Sequence, residues 1–451
     1  MIRKYIKNKS DKFRNDRDLL EILTGGGITL IVKVVGNLVG FLVMILITRG
    51  YGDEGQDVYG KYLLGILVLR VFLIVGKFGA DTALLRFISA FNAQNLLANA
   101  RKIYSKSILY ILPIGIVLSA FMYFSAPFFA HHLDVPQAYV ELLAFFILPY
   151  SWFFINAQSL RALKDMFSFS FFFNASVSFF AGFILLMLFL FNKKLLLGNP
   201  AWPVYAFAVG IAVSFICSLM LWYYRSKGGE YDSKKDVSNS VFLSVSIPLM
   251  LAQSITFIMG WTDQLMLGKM MDASDVGVYG VAFKFATLSV FVLAAVNSIA
   301  APKISEMKFK NDFAGLEKVV KHSTKLIFWF TLPIVLVLCL FPKLVLSISG
   351  SSFAVGATTL VILSLGKFFS SIAGSVGSIL QMTGLQKQFQ NTLLIAAIIN
   401  VGLNYLLIPS FGIEGAAFAS LSCMVFWNSV MVYIVKKRFG FYSIYVPWID
   451  K

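Results

Sequence analysis

The stretch DASDVGVYGVAFKFATLSV, residues 272–290, sets one lysine, Lys284, among apolar and small side chains. Lys33, Arg70, Lys77 and Lys367 recur in the same kind of setting, and Asp263 and Glu141 are acids inside apolar stretches. At helical spacing, Ser364, Ser371, Gly374, Ser378 and Gln381 fall near the face of Lys367, and Gly277, Gly280, Thr287 and Ser298 near that of Lys284. Lys33 is flanked by Gly26, Thr29, Gly36, Asn37 and Gly40, and Arg70 precedes Lys77 by two turns. Cations lined by small and polar groups can meet a negatively charged substrate through charge-assisted hydrogen bonds. Few acids share these stretches, Asp81, Glu141 and Asp263 among them, so the space the cations face should prefer an anion. Asp263, on the side of Thr256 and Gly260, is the first candidate for ion coupling by taking up and releasing a proton, and Glu141 the second.

Each cation also has a structural reading, as a partner of a nearby carbonyl or carboxylate. Lys61, near a span end, is read as reaching its head to the interface. Lys77 stands one turn before Asp81, where an i, i+4 pair can neutralise it. Lys367 lies 13 residues from either end of its span. That is about 20 Å at 1.5 Å per residue, too far for any side chain, so it must face protein or water.

The elements that position these groups follow from composition. Of 451 residues, 58% are apolar and 14% charged, against about a quarter charged in a soluble domain. Apolar runs long enough to cross a bilayer as helices fill the chain. Twelve spans are expected, at 25–48, 59–84, 103–125, 137–158, 167–191, 201–224, 241–268, 277–301, 320–341, 354–380, 389–409 and 413–435. The first 24 residues are too charged for a cleavable signal and read as a basic cytoplasmic arm.

A net charge of +17 would suggest nucleic acid if the cations gathered on a soluble face. Instead, 28 of the 39 Lys and Arg fall on the tails, on alternate loops and on the span ends beside them, and five (Arg49, Lys193, Lys194, Lys269 and Lys343) on the other loops. This asymmetry excludes a nucleic-acid role and predicts both termini in the cytoplasm. Cys217, Cys339 and Cys423 fall in different spans, and His131 and His132 lack further ligands, so neither a disulfide framework, a metal site nor any cofactor is expected.

The chain is written twice. DVYG at 57–60 echoes DVGVYG at 275–280, aligning Tyr59 with Tyr279, and YILPIGIVL at 110–118 matches FTLPIVLVL at 330–338, aligning Pro113 with Pro333 at the same offset of 220. LKDMF at 163–167 follows with LQKQF at 385–389. Each copy holds six spans, an even number, so the halves run parallel, as in two-lobed transporters with a substrate site between the lobes. The expected organisation is an arm at 1–24, a lobe at 25–224, a cytoplasmic linker at 225–240, a second lobe at 241–435 and a cytoplasmic tail at 436–451.

ITRGYGDEGQDVYGKYLLGI at 47–66, DQLMLGKMMDASDVGVYGVAFKF at 263–285 and NVGLNYLLIPSFGIEGAAFASLS at 400–422 resemble phrases of the polysaccharide-transport flippases in the multidrug/oligosaccharidyl-lipid/polysaccharide exporter superfamily. The resemblance covers nearly the whole chain, although the insertion in GDEGQDVYG departs from the family phrase, and Asp53, Glu54 and Asp57 are read as solvated loop acids. It implies an all-α, MATE-like pair of six-helix lobes around a V-shaped central cavity. It further implies a flippase that turns a prenyl-pyrophosphate-linked oligosaccharide from the cytoplasmic to the outer leaflet. Membrane lipids and the lipid-linked oligosaccharide would be its partners. It would act as a monomer, beside polysaccharide assembly proteins, in the inner membrane of a prokaryote.

Three rivals are weaker on the residues. A multidrug cation antiporter of the same superfamily should carry an acid in the first span, where this chain has Lys33. A membrane-embedded polymerase or ligase should carry a large outward domain, and the outward loops are short. An ATP-driven flippase lacks its motif, because each Gly-Lys pair wants the Ser or Thr and the glycine spacing of a phosphate loop.

Overall fold

The computed structural model describes residues 17–445 and 447, and among these every regular element is helical. The first half comprises α1 (Arg17–Gly50), α2 (Gly55–Lys77), α3 (Ala80–Asn92), α4 (Leu97–Phe124), α5 (Ala126–Leu133), α6 (Gln137–Ala144), α7 (Ile147–Ala162), α8 (Met166–Asn174), α9 (Ser176–Phe191), α10 (Lys193–Leu197) and α11 (Trp202–Arg225). The second comprises α12 (Asn239–Met270), α13 (Ala273–Ala286), α14 (Leu288–Phe309), α15 (Phe313–Leu340), α16 (Pro342–Ser347), α17 (Ala357–Ala373), α18 (Val376–Met382) and α19 (Gln386–Phe439). The expected arm lies outside the described residues up to residue 16, and α1 begins before the expected boundary at 25.

Nine of the described helices are long and apolar enough to cross a bilayer, and the pairs α6–α7 and α8–α9, bent by 51° and 54°, pass the same test when each pair is taken as one span. The remaining span is hidden in α19. A straight helix of its 54 residues would run about 80 Å, far beyond a hydrocarbon core of about 30 Å. It turns at Gly412 (φ 56°, ψ −134°). A Cβ added at Gly415 would meet the Leu407 carbonyl oxygen at 2.3 Å, a contact that only a chain doubling back can make. The twelve spans follow.

The second span, expected unbroken over 59–84, is instead cut between α2 and α3 at Phe78 and Gly79, whose φ angles are 53° and 66°. The cut is set by α12, because a Cβ at Gly79 would lie 2.2 Å from the Ser246 carbonyl oxygen. Only glycine accepts both the left-handed backbone and that approach. Pro113 and Pro333, aligned by the repeat, sit inside α4 and α15. Within the first half α9 packs on α1 and α11, and α3 on α7; in the second half α17 packs on α15 and α19, and α14 on α15. The segment between the halves is tied back to α4 by Asn99 Nδ2 donating to the Asp232 carbonyl at 2.8 Å and by the Lys102–Asp236 ion pair.

Candidate functional site

The two halves meet most closely where α2 crosses α13. Both phrases of the repeat lie on this seam. A Cβ at Gly60 would fall 1.7 Å from the Ala273 carbonyl oxygen, and one at Gly277 would fall 2.2 Å from that of Gln56. Small residues thus bring the two backbones into contact, the usual device for helices packed in lipid. Polar contacts extend the seam into the loops at the same end. Gln56 Nε2 donates to the Ser352 carbonyl at 2.7 Å, and the Ala273 amide donates to Asp134 Oδ2 at 3.1 Å. These two contacts are related by the duplication: the start of α2 docks on the far half's loop, and the start of α13 on the near half's. Arg49 adds Nε to the Ile348 carbonyl at 2.7 Å and a guanidinium nitrogen to the Ser347 carbonyl at 3.2 Å, capping the end of α16.

Lys284 reaches across the same interface. Its Nζ donates to the Gly40 carbonyl of α1, with the Phe41 ring centroid 5.3 Å away. One of the five cations is therefore held by a backbone carbonyl of the other half.

Beyond the seam a cavity of about 590 Å³ opens between the halves, with Lys77, Asp81, Thr82, Gln158, Gln253 and Trp261 among its lining. Lys77 Nζ lies 3.2 Å from Asp81 Oδ2 and donates to Gln253 Oε1 at 2.9 Å. Gln253 Nε2 returns bonds to Asp81 Oδ1 and the Thr82 hydroxyl at 3.0 Å each. Asp81, 2% exposed, is thereby neutralised, which leaves the cavity no free carboxylate from this pair. Arg70 stacks on the indole that forms the cavity wall, its Cζ 4.4 Å from the Trp261 centroid. Among the described residues Arg70 has no carboxylate within ion-pair distance. Gln158 Oε1 is buried without a partner.

Lys367 belongs to a second pocket of about 350 Å³ inside the second half, which Asn297, Ser370, Gln381, Trp427 and Asn428 also line. Its Nζ lies 4.7 Å from the Phe283 centroid. Of the expected stripe, Gly374, Ser378 and Gln381 line this pocket, with Ser370 beside them, whereas Ser364 and Ser371 are buried away from its lining.

Asp263 accepts hydrogen bonds from four different side chains. Its Oδ1 accepts from Asn404 Nδ2 at 2.8 Å and Asn400 Nδ2 at 3.1 Å, and its Oδ2 from the Tyr279 hydroxyl at 2.6 Å and from Ser420 Oγ. These donors come from α13 and both limbs of the α19 hairpin, so the turn at Gly412 is what brings Asn400 and Ser420 to one carboxylate. The side-chain oxygens of Asn400 and Asn404 are buried and unpartnered. The set can orient a carboxylate and offer amide oxygens beside it to a small hard cation. Asn400 and Asn404 were not expected from sequence as site residues. Their i, i+4 spacing, which puts two amides on one helix face, is the signal that could have found them.

The other expected residues lie elsewhere. Lys33 is exposed on α1, its carbonyl accepting from Asn37 Nδ2 at 2.8 Å. Glu141 accepts from Gln137 Nε2 at 2.6 Å along the short helix α6, away from both pockets. Lys61 does not simply extend to an interface: it pairs with Asp57 at 2.7 Å, so Asp57 is a partnered acid and not a free loop charge. No group of three His, Cys, Asp or Glu able to hold a metal occurs among the described residues.

The duplicated twelve-span bundle has the fold of solved structures from the MOP superfamily. The chain aligns over 90% of its length, and over 87% of that chain, with the lipid II flippase MurJ in its inward closed conformation (TM-score 0.72, 14% identity). It aligns over 91% of its length, and 98% of that chain, with an inward-facing multidrug resistance MATE family transporter of the MOP superfamily (TM-score 0.71, 13% identity). The family described as polysaccharide biosynthesis protein matches residues 22–308, and MatE matches 248–406. The chain belongs to the polysaccharide biosynthesis protein family. A probable low-salt glycan biosynthesis flippase of Haloferax volcanii, Agl15, is 29% identical over 36% of this chain and 34% of that protein. The matched segment thus spans about a third of that relative.

Proposed function

We propose that this protein is a flippase that carries a prenyl-pyrophosphate-linked oligosaccharide from the cytoplasmic to the outer leaflet by alternating access between its lobes. The observation that carries this reading is the 590 Å³ cavity between the halves. An arginine without a carboxylate partner stacks on Trp261 of its wall, and amides from both halves, Gln158 and Gln253, line it. Guanidinium and ammonium groups suit pyrophosphate oxygens, and aromatic and amide side chains suit a sugar. The polar head crosses in the cavity while the prenyl tail stays in lipid. Lys77 answers to Asp81 and Gln253 in the resting arrangement and is released to the substrate by exchange of partners. Lys367 meets the head from its own pocket in the second half, Lys284 from the interface with α1, and Lys33 attracts it from the exposed face of α1.

The lobes divide at the 225–240 linker, and both termini are cytoplasmic. On that topology the seam at Gly60 and Gly277 lies on the outer side and closes it. The cation antiporter reading is opposed by Asp81, the one acid lining the cavity among the described residues, which Lys77 occupies. Asp263 serves as the coupling group. The family names of relatives in glycan biosynthesis support the substrate class. The test is translocation of a lipid-linked oligosaccharide in proteoliposomes, scored for Arg70→Ala against wild type at equal insertion. An unchanged rate would remove Arg70 from the substrate path.

A further inference from the structure

Away from both pockets, α14 and α15 flank a groove of about 390 Å³ lined by Val296, Ile299, Lys303, Lys318, His322 and Leu326, among others. The charges and the apolar walls are separated by depth. The connection between the two helices runs from Phe309 to Phe313, so Lys303 and Lys318 lie about 8–9 Å inward of it, and Val296, Ile299 and Leu326 about 15–20 Å. His322 Nδ1 donates to the Lys318 carbonyl at 2.7 Å, which turns the imidazole, one turn deeper, back toward the lysines. A ligand that fits must carry an anion at one end and hydrocarbon at the other.

The local acids do not compensate these cations. Glu306 is paired with Lys310, Glu317 with Lys321 at 2.8 Å, and Asp312 accepts from the Gly315 amide at 2.8 Å as the cap of α15. The neighbouring cations are also engaged, Lys308 over the Phe313 ring at 5.0 Å and Lys325 over that of Tyr445 at 5.8 Å. Among the described residues, Lys303 and Lys318 are left without a carboxylate. Ile299 and Leu326 are exposed, so the groove is open to hydrocarbon along its length.

We propose that this groove is a binding site for an anionic glycerophospholipid, its phosphate held by Lys303 and Lys318 with His322 beside them and one acyl chain laid between α14 and α15. A single compact cation cluster matches one phosphate. The mouth lies at headgroup depth, where such lipids are the abundant anions. Occupancy ties α14 to α15 at the end of the second half opposite the seam. The site is separate from the cavity between the halves and does not rest on what that cavity transports.

The test is native mass spectrometry of the full-length protein released from nanodiscs of phosphatidylglycerol or phosphatidylcholine. Lys303→Gln/Lys318→Gln is compared with wild type, and the paired lysine variant Lys310→Gln serves as control. Wild type and Lys310→Gln should retain phosphatidylglycerol over phosphatidylcholine, and the double variant should lose at least tenfold of that preference. Thermal unfolding in detergent with each lipid, with inorganic phosphate and with a prenyl phosphate gives a second readout, in which Leu326→Trp fills the groove without touching the charges and should abolish the phosphatidylglycerol shift. Equal retention of both lipids, an unchanged preference in the double variant, stabilisation by inorganic phosphate alone, or a response to prenyl phosphate alone would each overturn the assignment.

Discussion

Placing a methyl group at Gly60 should open the seam between the halves. The added Cβ would lie 1.7 Å from the Ala273 carbonyl oxygen and 2.5 Å from its carbon, where an ordinary carbon contact needs about 3.5 Å. Backbone stands on both sides, so no side chain can swing away, and α2 and α13 must part. Overpacking of this kind costs about 1–3 kcal/mol, which falls on the closed seam and not on an arrangement with the helices apart. The ratio of open to closed should rise about fivefold to hundredfold. Spin labels at Asp53 and Ser351, both exposed and on opposite halves beside the seam, report it through their distance distribution by pulsed electron resonance. Gly60→Ala should move population to longer distances, Gly277→Ala less so because its clash is milder, and Gly402→Ala not at all, since a Cβ there meets nothing within 4 Å. An unchanged distribution in a folded Gly60→Ala protein would refute the close crossing. So would an equal change in Gly402→Ala.

Asp263→Asn should abolish the response of transport to an imposed gradient, tested with proton and sodium gradients separately, while Tyr279→Phe, which removes one of four donors, should weaken it; a full response in Asp263→Asn excludes this carboxylate from coupling. Cysteines at Ser233 and Lys310 should be labelled from the cytoplasm and one at Asp53 from outside, and the opposite pattern would invert the topology. In the linker, hydrogen bonds from the Lys102 ammonium and the Tyr231 hydroxyl hold the Asp236 carboxyl below its usual value. With the folded value depressed, its contribution is complete above the ordinary carboxylate pKa of about 3.9 and is lost as pH falls through the lower folded value. Hydrogen exchange of residues 229–237 should therefore accelerate on acidification in wild type and be fast already at neutral pH in Asp236→Asn; equal protection in both would dismiss the clasp.

Span number and duplication were legible because they rest on long-range regularities, namely apolar runs of bilayer length and two phrases at the same offset of 220. The Gly60–Gly277 crossing shows the limit of such reading. DVYG and DVGVYG were visible as copies, yet their meeting face to face depends on how the halves dock, which no local pattern records. The break at Gly79 was equally hidden, since its cause is the Ser246 carbonyl of a helix more than 160 residues later. The cations were found by their oddity within apolar runs, but their partners came from other helices. Lys284 meets a carbonyl of α1 and Arg70 an indole of α12, so one shared lumen for all five was more than spacing could establish. Lys77 was the exception, because its partner Asp81 stood one turn away on the same stretch.

The most direct measurement is the rate at which a prenyl-pyrophosphate-linked oligosaccharide crosses the bilayer of proteoliposomes holding the purified protein. Removing a charged contact to the head costs about 1.5–3 kcal/mol, so Arg70→Ala and Lys367→Ala should each slow crossing about tenfold to hundredfold, while Lys61→Ala, which only breaks a half-buried pair with Asp57, should stay close to wild type. The account is contradicted if wild-type protein leaves the lipid-linked oligosaccharide in place while exporting a cationic dye, or if Lys61→Ala and Arg70→Ala slow crossing equally.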